Sequence, residues 1–487
     1  MLILKSIFHH SGLMRSLLGL VAVSLLFACG PSPLSRESGP AFGHFEVTAK
    51  DAALASLEEP LSVTVGGVTA YEVKRTGTDA VVFTVQGHPT PGLQEVVVRG
   101  RGGSAVTVGS LRVEAPRHPA FARMVAFGAS LTMGTQDATI HARTQLHGPA
   151  TLVARQAGAY LALPLLKPGF LPALTPGDFD LSTCTEKEDL FSLLARRATD
   201  LIPKLRDRDG NIVLSRLRVD PRLEVTNLAI GGSRVTEVVN HPPSLPAILL
   251  EHVVWDLDVD ATGLVEPPAE SQLDRVVALQ PTLVLSTDLI GNDYNNVNLN
   301  VEGVPSLDAV TSDEDFTAAL RTVLERLDAT GAHVFLATGP DATLLPRYDA
   351  KVAELRARGF SEADATGWRD GLRARITHFN EILLVETARY PRVHVVDVAG
   401  KVQDVFANGL PVGEQTLSAA PFSGLLSIDS MHFSDTGYAV LANTFLEEVN
   451  RVLGADLPPV DVEAAHAGDP YSVEALRLNG FPCAGTR

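Results

Sequence analysis

The chain has 487 residues, of which 45% are hydrophobic, 20% charged and 6% aromatic; this excludes a disordered or collagen-like protein and leaves room for one large domain or two to three smaller ones. A formal net charge of -17 at pH 7 excludes nucleic acid as the expected partner, because neutralising phosphates takes a basic surface. No zinc-type Cys/His spacing and no glycine-rich phosphate loop ending in Gly-Lys-Ser/Thr occurs, so neither a metal nor an organic cofactor is expected.

Lys5 and Arg15 form a basic start, and Leu17 to Ala28 is an apolar run too short to span a bilayer. It ends in Leu26-Phe27-Ala28-Cys29-Gly30, which resembles the lipobox of bacterial lipoproteins, although Phe27 is bulkier than usual. The resemblance implies that residues 1–28 are a signal peptide. Lipidated Cys29 would then anchor an exported protein to a bacterial membrane, with the outer membrane expected. An uncleaved or ordinary secretory signal is the alternative. Export makes a disulfide between the remaining cysteines, Cys184 and Cys483, available; two independent buried thiols are the other reading.

Residues 29–42 are rich in Pro, Ser and Gly and read as a flexible tether. From 43 to 116 the apolar residues alternate with period two, as in Leu61/Val63/Val65, Val81/Phe83/Val85 and Val96/Val98, with glycines punctuating the runs. That pattern predicts a small all-β sandwich. Its segment Pro91-Gly92-Leu93-Gln94-Glu95-Val96-Val97-Val98 is similar to the late strands of immunoglobulin-like IPT/TIG modules.

After a Pro-rich joint at Ala115 to Pro119, strands alternate with helices across 120–456, which predicts a parallel sheet with helices on both faces. The strand candidates are Met124–Phe127, Leu223–Ile230, Thr282–Asp288, His333–Thr338 and Val393–Val398. Helices are expected near 149–162, at Ser312–Thr330 (capped by Ser312 and Asp315), at Trp368–Arg389 and from Ser434 to Gly454. Insertions near 165–220 and 240–272 interrupt the pattern; each reads either as a cover over the site or as solvated elaboration. Residues 457–487 form a C-terminal extension. The alternation Asp256-Leu-Asp258-Val-Asp260 lacks the glycine (Ala261) and the glutamate (Pro267) of a calcium loop, so no metal site is assigned there.

Chemistry-bearing residues fall at the strand ends. In Phe127-Gly128-Ala129-Ser130-Leu131 a buried strand stops at a glycine and releases a serine into a turn, where open α/β sheets hold their sites. Asn227 to Ser233, with Gly231-Gly232, ends the second strand, and Leu289-Ile290-Gly291-Asn292-Asp293 ends the third. Asp429-Ser430-Met431-His432 precedes the last helix. A serine nucleophile needs a base, and the base needs a carboxylate to fix its tautomer. Each segment alone reads as an ordinary turn; their order is what matters.

Over roughly 122–453 the chain resembles the SGNH hydrolases, also called GDSL-type esterases and lipases. The resemblance implies a three-layer α/β/α, flavodoxin-like fold with a five-stranded parallel sheet. It also implies hydrolysis of carboxylic esters through a Ser-His-Asp triad and an acyl-enzyme, with no cofactor. It assigns Ser130 as nucleophile, His432 as base and then acid, and Asp429 as the orienting carboxylate. The oxyanion hole would be the backbone N–H groups of Ser130 and Gly232 and the side-chain amide of Asn292. Two positions depart from the family pattern. Ala129 replaces the usual Asp beside the serine, and Ile290 stands where the third block usually has glycine. The substrate is left open among a lipid ester, an O-acetylated glycan and a small ester. The alternative function is a cell-surface binding or adhesion lipoprotein with an inactive hydrolase-like domain.

Overall fold

The computed structural model describes residues 32–167, 173–182, 185–187, 196, 202–243, 245–255 and 267–485. The signal segment with Cys29, Cys184 and the Asp256 to Asp260 alternation lie outside the described residues. The chain divides into two compact units.

Among the described residues the first unit holds 32–39, Phe45–Val85 and Leu93–Arg112. Its described elements are strands and two short 3-10 helices, Ala52–Ser56 and Arg101–Gly103. Strands β1 (Ser38–Pro40), β3 (Ser62–Val65), β4 (Val68–Thr69), β7 (Gly92–Arg99) and β8 (Ala105–Glu114) form one sheet in the order β1-β8-β7-β3-β4. Strands β2 (Phe45–Lys50), β5 (Tyr71–Arg75) and β6 (Ala80–Val85) form another, ordered β2-β6-β5. Period-two alternation sends every second side chain to one face. Val47 and Phe83 are paired in register on one sheet and share a single core with Val63, Val96, Val98 and Leu111 of the other. The described part of the expected tether is packed rather than free. Leu34 is in this core, and the Ser35 and Lys50 amides donate to the carbonyls of Thr48 and Pro33, which fastens the segment beside β2. Pro and Ser content had signalled only chain entropy; one leucine with backbone partners outweighs it.

The second unit holds Pro40–His44, Gln86–Gly92 and everything from Val113 onward. Phe42, inside the expected tether, is buried here beneath the Arg155 guanidinium. The unit is mixed α/β. Strands β9 (Met124–Ala126), β10 (Leu283–Ser286), β11 (His333–Ala337) and β12 (Val393–Val396) form a parallel sheet ordered β12-β11-β10-β9. Its helices include α1 (Ser130–Met133), α2 (Pro149–Ala157), α3 (Val235–Val239), α4 (Gln272–Ala278), α5 (Asp313–Asp328), α6 (Glu362–Thr387) and α7 (Asp435–Leu453). α2 packs on α7, whereas α5 packs on α3 and α6. α5 follows its sequence signals: Ser312 Oγ accepts from the Asp315 amide at 3.1 Å, and Phe316, Leu320, Val323, Leu324 and Leu327 are all buried.

The expected five-stranded sheet is corrected to four strands. The segment Leu223–Ile230 runs beside β9, but only as an isolated parallel bridge between Ala126 and Asn227. Backbone hydrogen bonds still join the two: the Ala126 amide donates to the Thr226 carbonyl and the Leu228 amide to the Ala126 carbonyl, both at 2.8 Å, and the Ile230 amide donates to the Gly128 carbonyl at 3.0 Å. The contact stays a single bridge because β9 is only three residues long, and a side chain reinforces it. Buried Gln272 of α4 accepts from the Gly128 amide at 3.1 Å and donates to the Leu228 carbonyl at 2.9 Å.

Part of the first insertion is core rather than solvated surface. Leu174 and Phe179 cluster with Phe422 and Ile428, which lead into His432, and with Tyr471, Leu476 and Phe481 of the C-terminal extension. Cys483 in that extension is disulfide-bonded.

Candidate active site

The turn bearing Ser130 is made by the end of β9 and held by one carboxylate. Gly128 has φ +115, and a Cβ there would fall 2.4 Å from Ser286 Oγ, so only glycine fits. α1 begins at Ser130 and ends at Gly134, which is left-handed. Ala129 at its N-cap has no side-chain oxygen to offer the first amides. Asp288 reaches across from the end of β10. It accepts from the amides of Ala129 (3.0 Å), Leu131 (2.6 Å) and Thr132 (3.2 Å) and from Thr132 Oγ1 (2.7 Å). Burial pushes the Asp288 carboxyl up, and the Thr132 hydroxyl and these amides oppose that. Sequence reasoning passed over Asp288. Its one signal was position, as the final residue of the third strand candidate.

The glycine turn lies beside the serine: a Cβ on Gly231 would be 3.9 Å from Ser130 Cβ. Gly232 itself has φ +90. The Asn292-Asp293 pair grips the chain just after this turn. Asn292 Nδ2 donates to the Ser233 carbonyl at 3.1 Å, and Asp293 Oδ2 accepts from the Val235 amide at 3.0 Å, capping α3. An amide nitrogen has two hydrogens, so Asn292 keeps one to give elsewhere. Burial pushes the Asp293 carboxyl up to about 7 against the pull of the Val235 amide. Asp293 was a second residue left without a role.

The third element is the loop before α7. His432 Nδ1 lies 2.7 Å from Asp429 Oδ2, which also accepts from the Ala138 amide at 2.8 Å. Asp429 Oδ1 accepts from the Met431 and His432 amides, both at 2.9 Å, and from Ser427 Oγ at 2.8 Å. Ser430 between them takes φ +52, the left-handed bend that turns the loop back on itself. Burial would raise the Asp429 carboxyl, but the charge and hydrogen bond of His432, with the amides, bring it down to about 2. The carboxylate is therefore ionised. With Nδ1 engaged, Nε2 is the ring nitrogen left to exchange a proton.

Behind this loop sits another buried acid. The Asp137 amide donates to Ser427 Oγ at 3.0 Å, and its Oδ2 accepts from the Tyr471 hydroxyl at 2.6 Å, while Oδ1 has no partner among the described residues. Burial, partly offset by Tyr471, pushes this carboxyl up to about 7.

Ser130, Asn292 and His432 line a single cavity of about 80 Å³. Gly232 is not among the described residues that line it; its neighbour Gly231 is the residue of that turn set beside Ser130. Among the described residues no group of three His, Cys, Asp or Glu side chains could hold a metal ion. The arrangement thus puts a half-buried hydroxyl, an imidazole oriented by an ionised carboxylate and a primary amide around one small void. A carbonyl group could be attacked and its oxygen held there.

No family model and no curated protein matches the chain. A solved structure that does match is LAE5, an alpha/beta hydrolase enzyme from the metagenome of Lake Arreo, Spain. It is 14% identical, and the match covers 68% of this chain and 95% of that one at a TM-score of 0.33. An overlap that low carries no argument about fold or activity.

Proposed function

We propose that the chain is a serine esterase of the SGNH type, acting on carboxylic esters through Ser130, His432 and Asp429. The observation that carries this is the 2.7 Å contact from Asp429 to His432 Nδ1, with His432 on the same cavity as Ser130 and Asn292. In the first half-reaction Ser130 Oγ attacks the ester carbonyl carbon while His432 Nε2 takes its proton. The tetrahedral oxyanion is held by the amide of Asn292 and the N–H groups of Ser130 and Gly232. Its collapse breaks the bond to the alcohol oxygen, which leaves with the proton from His432. Water, deprotonated by the same imidazole, then attacks the acyl carbon and releases the acid and Ser130.

Packing of α2 with α7, and of α5 with α3 and α6, supports a three-layer α/β/α arrangement for this unit. The shared core of two sheets supports an immunoglobulin-like sandwich for the first unit. Cys29 would carry the lipid anchor of an exported protein, and the disulfide at Cys483 suits an oxidising compartment.

The test is covalent labelling by a fluorophosphonate together with turnover of p-nitrophenyl esters, each with Ser130→Ala as control. Labelling and turnover that both vanish in Ser130→Ala are expected. A wild-type protein that neither labels nor hydrolyses any ester would favour the binding lipoprotein instead.

A further inference from the structure

Resting on the esterase reading, the dimensions of the cavity point to the substrate class: we infer that this site accepts esters of short, uncharged acyl groups of about two to four carbons and rejects medium and long chains. A void of about 150 Å³ in a protein core holds benzene, six carbons. The cavity at Ser130 is about 80 Å³, room for about three to four non-hydrogen atoms by the same measure. Pockets for larger ligands usually run from about 300 Å³ upward.

The walls match an alkyl stub. Leu131, Ile290, Leu345, Val402, Phe406 and Phe433 line the void together with Ser130 and His432. Leu345 and Val402 are themselves buried, at 8% and 4% exposure, so they cannot swing into solvent to admit a longer chain without moving the packing around them. Asp288 also lines the void and is committed to the amides of the serine turn. A carboxylate-bearing acyl group would lose its hydration against these apolar walls. The cavity therefore selects by size and polarity, and with the acyl group seated in it the alcohol part of the ester lies in its open mouth.

The experiment is a p-nitrophenyl ester series from acetyl to octanoyl, run on the full chain, with fluorophosphonate labelling alongside. Acetyl to butyryl esters are expected to exceed octanoyl in kcat/KM by at least about 100-fold, since even one methylene that does not fit costs about 10-fold or more. Leu345→Ala and Val402→Ala enlarge the void and are expected to move the optimum toward hexanoyl, with circular dichroism checking that each variant is folded. The wild-type profile decides the matter even if the variants fail to fold. Ser130-dependent turnover with octanoyl preferred would overturn the short-acyl assignment and leave the esterase reading standing. Loss of both labelling and turnover would remove the two together.

Discussion

Asp293 accepts a hydrogen bond from the Val235 amide at 3.0 Å, and through it the loop after β10 holds the start of α3. Its neighbour Asn292 holds the Ser233 carbonyl at 3.1 Å, so two adjacent side chains fix the turn that carries Gly232. In Asp293→Ala that amide loses its acceptor and the turn its second tie. A hydrogen bond to a charged or half-charged acceptor contributes about 1.5–3 kcal/mol, so kcat/KM is expected to fall roughly 10- to 100-fold. Asp293→Asn keeps a carbonyl oxygen in place and is expected to stay within about threefold of wild type. Steady-state kinetics on p-nitrophenyl acetate checks both; equal losses in the two variants would show that charge, not positioning, is what Asp293 supplies.

The nucleophile turn depends on Asp288 in the same manner. Asp288→Ala strands the amides of Ala129, Leu131 and Thr132, while the Thr132 hydroxyl keeps Thr287 Oγ1 at 2.8 Å. Each orphaned group costs about 1–3 kcal/mol, so activity is expected to be lost and urea unfolding to shift by several kcal/mol. A rescue follows from helix geometry. Residue 129 is the N-cap of α1, and an N-cap carboxylate accepts from the second and third helical amides, here Leu131 and Thr132. Those are two of the amides that Asp288 takes. Ala129→Asp in the Asp288→Ala background is therefore expected to recover at least about 10-fold of the lost kcat/KM. Recovery of stability without activity would mean that the capping can move but the serine geometry cannot.

How much of this was legible depended on how local the signal was. Ser130, Asn292, Asp429 and His432 sit in short segments beside glycines or a helix start, and their order along the chain is visible in the letters. β10 and β11 were visible as apolar runs because they are almost wholly buried in the parallel sheet, and β12, at the sheet edge, because Val393 and Val396 are buried. Asp288 and Asp293 were not, because each acts on a partner distant in sequence: Leu131 lies 157 residues from Asp288, and Val235 lies 58 from Asp293. The segment 223–230 shows why apolar alternation overstates a strand. Leu223 and Val225 are buried as expected, but backbone pairing with the short β9 segment is confined to Thr226, Leu228 and Ile230 and amounts to one bridge. The packed segment 32–42 and the cluster joining Phe179, Ile428 and Phe481 are likewise long-range facts, invisible to a window of ten residues.

Asp429→Asn removes the charge that orients His432 and stabilises its protonated form. Triads that lose this carboxylate lose about 10⁴ in kcat at neutral pH, and a drop of that order is expected here. The same carboxylate makes stability pH-dependent. Its pKa falls from 3.8 to about 2 on folding, so its contribution is present above pH 3.8 and is lost as pH falls toward 2. The shift corresponds to on the order of 2 kcal/mol. Urea unfolding of wild type and Asp429→Asn at pH 2 to 6 is expected to show the gap closing at the acid end; a gap that stays constant would assign the acid sensitivity to other groups.

Asp137 carries the opposite sign. Its pKa rises from 3.8 to about 7 on folding, so the native state binds its proton more tightly than the unfolded chain does. The stability this gives is present below pH 3.8 and is lost as pH rises through 7, a change of up to about 4 kcal/mol. Around it stand the Tyr471 hydroxyl, Asp429, Arg143 and His432, of which Asp429 opposes its ionisation and the two basic groups favour it. Asp137→Asn keeps an oxygen for the Tyr471 hydroxyl and carries no charge at any pH. The variant is expected to be close to wild type at pH 4 and more stable at pH 8.5, because it avoids a buried carboxylate whose Oδ1 has no partner among the described residues. Chemical denaturation at pH 4, 6 and 8.5 measures the crossover. Lower stability of the variant at pH 8.5 would mean that the ionised form is held by Arg143 after all, and that this second acid behind His432 works as a charge rather than as a neutral hydrogen-bonding group.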